Sequence, residues 1–224
     1  MDFVEFLLRW FHFLAGITWI GILYYFNFIQ TPFLATELGG QARSAMVRGL
    51  VPNALWWFRW GAMFTFITGV LIILMRWGSG EPLSSARMTT ILTGAAMGTL
   101  MWANVWFVIW PAQKLAIASA EAVAAGGEAD PAAGAAAPRA GRASRTNTLF
   151  SIPLLFMMGA ASHYPMGEAA TVYWVVALVV IGIMELNALA PSFPLQGPLK
   201  TVSGTLNAGF VLTAVLYVLG RMLL

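Results

Sequence analysis

Hydrophobic residues along the chain fall into six long blocks, and shorter polar segments separate them. These blocks approach or reach the length of about 20 helical residues that crosses a hydrocarbon core. Because lipid offers the backbone no hydrogen-bond partners, each block is predicted to be an α-helix. The pattern predicts an all-α integral membrane protein, a single domain over residues 1–224 that forms a bundle of about six transmembrane helices. The blocks run over Trp10–Gln30, Leu55–Met75, Met88–Trp110, Thr148–His163, Val172–Leu189 and Val202–Leu219.

The composition supports a membrane protein and excludes several classes of site. Hydrophobic residues make up 59% of the chain and charged residues 9%, whereas about a quarter of the residues in an ordinary soluble domain are charged. The sequence has no cysteine, so disulfides, thiolate metal sites and covalent haem attachment through C-x-x-C-H are excluded. The net charge of +3 is what basic cytoplasmic loops would give, and no nucleic-acid partner is expected.

The positions of the lysines and arginines predict the orientation of the bundle. Eight of the twelve fall on the side of the first, third and fifth loops, and four fall on the side of the termini. The positive-inside rule therefore places both termini in the periplasm. The eight are Arg43, Arg48, Arg59, Lys114, Arg139, Arg142, Arg145 and Lys200. The four are Arg9, Arg76, Arg87 and Arg221.

The third loop, at about residues 112–145, contains the low-complexity stretch "AVAAGGEADPAAGAAAPRAGRAS". It has too few large apolar residues to pack a core. This segment is predicted to be a flexible Ala/Gly/Pro-rich cytoplasmic loop.

Two charged residues lie inside predicted helices, near the cytoplasmic ends of both. These are Arg59 and Glu185, and because a buried charge usually finds an opposite partner, an ion pair between them is predicted.

The chain has only two histidines, His12 and His163, and both come out near the external face of the predicted bundle. Gly16 follows His12 by four residues and Gly159 precedes His163 by four, so each glycine shares the helix face of its histidine, one turn deeper in the membrane. A flat ring between two imidazoles would need such glycines beside it. A haem b with both histidines as axial ligands is the favoured hypothesis. Zinc is disfavoured, because a structural zinc site takes four ligands. In the alternative interpretation, the histidines are polar groups at the interface and the glycines serve helix packing.

Four segments carry a resemblance to a known family: "RWFHFLAGITWIGILYYF", "WWFRWGAMFTFITGVLIIL", "ANVWFVIWPAQK" and "SRTNTLFSIPLLFMMGAASHY". They resemble the membrane domain of the bacterial membrane-integral urate oxidases of the PuuD type. The resemblance implies a multi-pass domain of the bacterial inner membrane. It also implies that this domain oxidises urate to 5-hydroxyisourate and passes electrons to a periplasmic cytochrome c domain. More remotely, the spacing of His12, Gly16, Trp19 and Gly21 is similar to the first helix of HemJ-type protoporphyrinogen oxidases.

The sequence also departs from that family. We expect a short form, without the additional spans and the fused cytochrome c domain of the longer members. The segment "TPFLATELGGQARSAMVRGLVP" lacks the glycine-rich, histidine-bearing stretch expected there. Urate-binding residues are therefore not carried over, and only His12 and His163 are, as haem ligands.

Two functional hypotheses follow from the sequence. In the first, the chain is a haem b oxidoreductase domain that passes electrons from a small reductant, with urate as the candidate, to a separate cytochrome c or to quinone. In the second, it is a non-enzymatic, haem-bearing or structural membrane subunit of a larger redox complex. The expected partners are the lipid bilayer, a cytochrome c or respiratory-complex subunits, and further copies of the chain in a homo-oligomer.

Overall fold

The computed structural model describes residues 3–190, 192 and 194–224, and over these residues it contains helices and no strand. Six long helices correspond to the six hydrophobic blocks. Two short 3₁₀ turns, Pro194–Gln196 and Pro198–Lys200, precede the last helix. The six are α1 (Phe3–Leu34), α2 (Glu37–Gly78), α3 (Ala86–Ala124), α4 (Pro131–His163), α5 (Thr171–Leu189) and α6 (Val202–Leu223).

Five of these helices, all except α4, are long and apolar enough to cross a membrane. Their outward faces carry large apolar side chains: Phe13 on α1 is 62% exposed, and Val172 on α5 and Phe210 on α6 are 60% and 63% exposed. Apolar side chains exposed over whole helix faces are uncommon on a monomeric soluble protein. These faces are what a multi-pass membrane protein presents to lipid.

Helix α4 lies inside the bundle and contacts α1, α3, α5 and α6. Its middle section is buried along consecutive residues, from Thr146 to Ser151. Threonine, asparagine and serine side chains in this section hydrogen-bond within the bundle, so α4 is less hydrophobic than its neighbours and yet the most enclosed. The helix predicted at Thr148–His163 is therefore present, and its shortness as a hydrophobic block reflects burial in protein.

Three of the helices contain a π-helical segment, and each segment ends just before a proline. The segments are Tyr25–Gln30 in α1, Met46–Leu50 in α2 and Asn104–Ile109 in α3. The prolines Pro32, Pro52 and Pro111 follow after one further residue. Proline has no N–H and clashes with the carbonyl four residues before it, and the wider π turn accommodates that defect. All three segments lie toward the same end of the bundle.

The predicted loop at about 112–145 is wrong in its extent, because most of this segment is helical. Helix α3 continues to Ala124, and α4 already begins at Pro131. Only six residues join them. Gly126 has a positive φ of 87°, typical of a helix stop, and the side chain of Asp130 accepts a hydrogen bond from Ala132 N at 2.8 Å as an N-cap. Alanine is the strongest helix former, so the low-complexity composition extends the helices.

Candidate functional sites at the two ends of the bundle

Helices α1 and α4 run antiparallel, and contacts near the middle of the bundle fix their register. The Tyr24 hydroxyl lies 2.8 Å from Ser151 Oγ, and Asn27 Nδ2 donates to Ser144 Oγ at 2.8 Å. His12 lies twelve residues before Tyr24, and His163 lies twelve residues after Ser151. At 1.5 Å per residue both histidines are about 18 Å from this contact, in the same direction. We call this the histidine end of the bundle, and the opposite end the cavity end.

His12 packs against α2, where Thr68 fixes its tautomer. His12 Nδ1 lies 2.9 Å from Thr68 Oγ1, and the Thr68 hydroxyl donates to Phe64 O at 2.6 Å. Since the single hydroxyl proton is used in that bond, Thr68 Oγ1 accepts from Nδ1–H of His12. The neutral imidazole then carries its lone pair on Nε2. In metal-binding histidines one ring nitrogen commonly donates to such a partner while the other ligates the metal, so Nε2 of His12 is in the state of a ligand.

Gly69 makes room for this imidazole. A Cβ atom at Gly69 would lie 3.2 Å from His12 Cε1, closer than most real Cβ contacts. Sequence reasoning missed Thr68 and Gly69, because both come from a different helix and no spacing within α1 points to them.

The same end is closed by a charged network that ties α1 to α2. Glu5 is buried, and it accepts hydrogen bonds from Arg9 Nε at 2.8 Å and from Arg76 Nε at 2.7 Å. Arg76 also lies 3.6 Å from Glu81. This network holds the start of α1 against the end of α2, and so keeps His12 beside Thr68.

His163 is the last residue of α4 and is exposed. With Gly159 and Tyr164 it lines an apolar cleft of about 360 Å³, whose walls come from α4 and Tyr164 alone. The structure therefore brings His163 and Gly159 together, but it gives His12 separate surroundings on α2. The two predicted glycines also differ: a Cβ at Gly159 would meet nothing within 4 Å and so faces open space, whereas one at Gly16 would be in van der Waals contact with Thr65 of α2, at 3.9 Å.

A buried polar cluster joins α3, α4 and α5. Asn104 Nδ2 donates to Asn147 Oδ1 at 2.9 Å and to Glu185 Oε2 at 3.2 Å, and Asn147 Nδ2 donates to Met101 O at 2.9 Å. The Glu185 carboxylate thus has a neutral donor as its partner, and the network spans three helices.

The predicted ion pair between Arg59 and Glu185 is wrong. The Arg59 guanidinium lies over the Trp110 ring, 3.6 Å from its centroid, while Glu185 is bonded to Asn104. Hydropathy gives the depth of a residue in its helix but not the direction of its side chain, so the two residues lie near one end without meeting.

The cavity end holds a cavity of about 140 Å³ between α1, α2, α3 and α4. Residues within or directly after each of the three π-helical segments line it. Two of its lining residues carry a buried polar atom with no partner among the described residues, Arg145 Nη1 and Gln30 Oε1. The lining residues are Phe26, Asn27, Gln30, Thr31, Val51, Leu55, Phe58, Ile109, Gln113, Ala140, Gly141, Ser144 and Arg145.

A comparison with protein families identifies the relationship. The profile of the urate oxidase N-terminal family matches residues 70–193, more than half of the chain. The chain belongs to the urate oxidase N-terminal family. The predicted resemblance to the urate oxidases is thereby confirmed at the level of the family, and the last two of the four segments lie within the matched residues. No curated protein and no solved structure matches the chain.

Some candidate residues of this urate oxidase N-terminal domain lie within the family match and others lie before it. The match includes His163 and Gly159 at the histidine end and Arg145 at the cavity end, whereas His12 and Gln30 precede it. Sequence reasoning found the histidines because they are rare. It missed the cavity, since nothing in the pattern of α4 distinguishes Arg145 from other basic residues of the same segment.

Proposed function

We propose that this protein is a membrane oxidoreductase domain of the urate oxidase type, which takes electrons from a small reductant and passes them to a cytochrome c or to quinone. Urate is the candidate reductant. The observation that carries the proposal is the match to the urate oxidase N-terminal family over residues 70–193. Five apolar helices that could cross a membrane agree with a membrane-bound enzyme.

A haem b is the proposed redox group, with His12 and His163 as the residues that would hold its iron. The donor set fits, since neutral imidazole is an ordinary protein ligand of haem iron and the hydrogen bond from His12 Nδ1–H to Thr68 Oγ1 leaves Nε2 available. Beside His163, open space at Gly159 and the apolar cleft on α4 leave room for the edge of a flat macrocycle. When bound, the haem would supply one-electron redox chemistry. The chain itself would hold the imidazoles, and its apolar helices would exclude water.

The proposed placement is the bacterial inner membrane, with α4 as a sixth crossing helix inside the bundle and both termini in the periplasm. The distribution of basic residues supports this orientation, since eight of the twelve fall on the side of the cavity end. The histidine end would then face the periplasm, where a cytochrome c partner could reach it. Association into a homo-oligomer is part of the same proposal, through the exposed apolar helix faces.

The proposed function is tested by adding urate to the purified, haem-loaded protein without oxygen and following the haem spectrum. Urate-dependent reduction, followed by reoxidation on adding a cytochrome c or a quinone, is expected. Buffer and an equal concentration of allantoin serve as controls. A haem that dithionite reduces and urate leaves oxidised would contradict the assignment of urate as reductant.

A second candidate function is that of a non-enzymatic membrane subunit in a larger redox complex. The separate surroundings of His12 and His163 favour it, because only one of the two histidines would then need a ligand role. Co-purification with respiratory subunits, together with no reduction by urate, is the result expected for this alternative.

A further inference from the structure

The cavity at the cavity end has the composition of a binding site for a small ligand. Its apolar walls include Phe26, Leu55 and Phe58, and its polar groups include Gln113 and Arg145. Ligand sites commonly combine apolar walls with a few placed polar groups. An engineered cavity of about 150 Å³ binds benzene, so a cavity of about 140 Å³ holds one planar ring. Exposed Thr31 and Gly141 mark its opening, where a second ring could extend.

The unpartnered groups indicate the charge of the ligand. Arg145 Nη1 is buried without a partner, and an arginine guanidinium is always protonated. None of the described residues that line the cavity is acidic. Two further arginines of this end, Arg59 and Arg142, do not line the cavity but add to the positive charge around it. Burying a charged donor without an acceptor is costly, so this arrangement favours an anion.

The glutamines indicate that the ligand carries donors as well as acceptors. Gln30 Oε1 is a buried acceptor without a partner, and the side chain of Gln113, which also lines the cavity, makes no hydrogen bond with the described residues. A carboxamide can both donate and accept. A ring edge with alternating carbonyl and N–H groups would satisfy both glutamines while its negative charge lies against Arg145.

The backbone around the cavity is also unusual. Asn27 and Ile109 lie in π-helical segments, and Val51 directly follows one. Such segments occur frequently at functional sites, because the widened turn redirects side chains and leaves space beside the helix. Three of them converge on this one cavity.

We infer that the cavity binds one small planar anion with both carbonyl acceptors and N–H donors on its ring, and that Arg145 is its charge partner. Oxopurine anions such as urate belong to this class, and the choice of an oxopurine rests on the proposed function. The site is distinct from the histidine end. Asn27 lies fifteen residues after His12, which corresponds to about 22 Å along the helix, so binding at the cavity can be measured without haem chemistry.

The test is calorimetric titration of the purified full chain with urate, with hypoxanthine as an uncharged oxopurine and with inorganic phosphate as a non-planar anion. The variants are Arg145→Gln, which removes the charge partner, and Gly141→Leu, which narrows the opening. Gly141 lies in a helix with no atom within 4 Å of an added Cβ, so leucine there should fold. Arg139→Gln is the matched control, since Arg139 is an exposed arginine of the same helix that does not line the cavity.

Urate is expected to bind the native chain more tightly than hypoxanthine or phosphate. Losing a hydrogen bond to a charged group should weaken binding about 10- to 100-fold in Arg145→Gln. Gly141→Leu should also weaken it, and Arg139→Gln should bind like the native chain. The inference would be overturned if the native chain did not bind urate, or if it bound hypoxanthine equally well. It would also be overturned if phosphate bound more strongly, as at a site for a lipid phosphate, or if both cavity variants bound urate with native affinity.

The haem spectrum of each preparation separates this inference from the proposed function. Urate binding that depends on Arg145, together with a haem that dithionite reduces and urate leaves oxidised, would support the cavity site and contradict the redox proposal. A haem that urate reduces equally well in native chain and Arg145→Gln would support the redox proposal and overturn the cavity site.

Discussion

The hydrogen bond between Thr68 and His12 gives the sharpest test of the histidine end. In Thr68→Val the side chain keeps its shape and loses the hydroxyl that accepts from His12 Nδ1–H. Thr68 is only 5% exposed, so no water replaces the lost oxygen readily. Removing a buried hydrogen-bond acceptor costs about 1–3 kcal/mol, although the Thr65 backbone also bonds to His12. The tautomer with its lone pair on Nε2 also loses its advantage over the other tautomer.

This perturbation should appear in haem affinity. Outer partners of metal-bound histidines typically contribute 10- to 100-fold to metal affinity, which corresponds to about 1.4–2.8 kcal/mol and agrees with the cost of the lost hydrogen bond. We expect the apparent Kd for haem to rise about 10-fold or more in Thr68→Val. The assay is titration of haem into the haem-free protein, followed by absorbance.

Thr99→Val is the matched control for this experiment. Thr99 is exposed on α3, and its hydroxyl donates to Ala95 O at 2.8 Å, the same local bond that Thr68 makes to Phe64 O. The control therefore removes a threonine hydroxyl from a helix without touching a histidine. Equal haem affinity in Thr68→Val and Thr99→Val would refute the role assigned to Thr68.

Two further predictions concern the packing and polar network of the bundle. In Gly209→Ala the new Cβ would lie 2.9 Å from Leu149 O, and we expect this overpacking to lower stability by about 1–3 kcal/mol, measured as a lower thermal midpoint in detergent. The control is Gly182→Ala, where nothing lies within 4 Å of the new Cβ, and its midpoint should stay the same or rise. The same midpoint in both variants would contradict the close packing described at Gly209. Glu185→Leu removes one of the two acceptors of Asn104 Nδ2 and should cost about 1–3 kcal/mol, while Glu185→Gln keeps an acceptor and should cost less. An equal loss in the two variants would contradict the role assigned to this hydrogen bond.

The number and order of the helices could be predicted from the sequence, because long apolar blocks in lipid have to be helical. Their ends could not be predicted from hydropathy. Helix α2 begins at Glu37 instead of Leu55, and α4 at Pro131 instead of Thr148, since helical turns outside the apolar block need no hydrophobicity. Gly126 and Asp130 are residue types typical of a helix C-terminus and of an N-cap, so the junction of α3 and α4 carried local signals in the sequence.

The candidate sites could be predicted only where one helix carried the whole signal. The spacing of four between Gly159 and His163 placed both in one cleft, because helical periodicity determines which residues share a face. The contact of His12 with Thr68 and the presence of Arg145 and Gln30 around one cavity depend on how separate helices pack. No pattern within one segment contains that information, which is also why the pairing of Arg59 with Glu185 failed.

Whether the histidine end holds a haem can be read from the optical spectrum of the purified protein before and after reduction with dithionite. We expect sharp α and β bands of a low-spin haem b in the native chain and in Thr99→Val, and their loss or shift in both His12→Ala and His163→Ala. A native chain that remains colourless after expression with ample haem, or full native bands in both histidine variants, would contradict the claim.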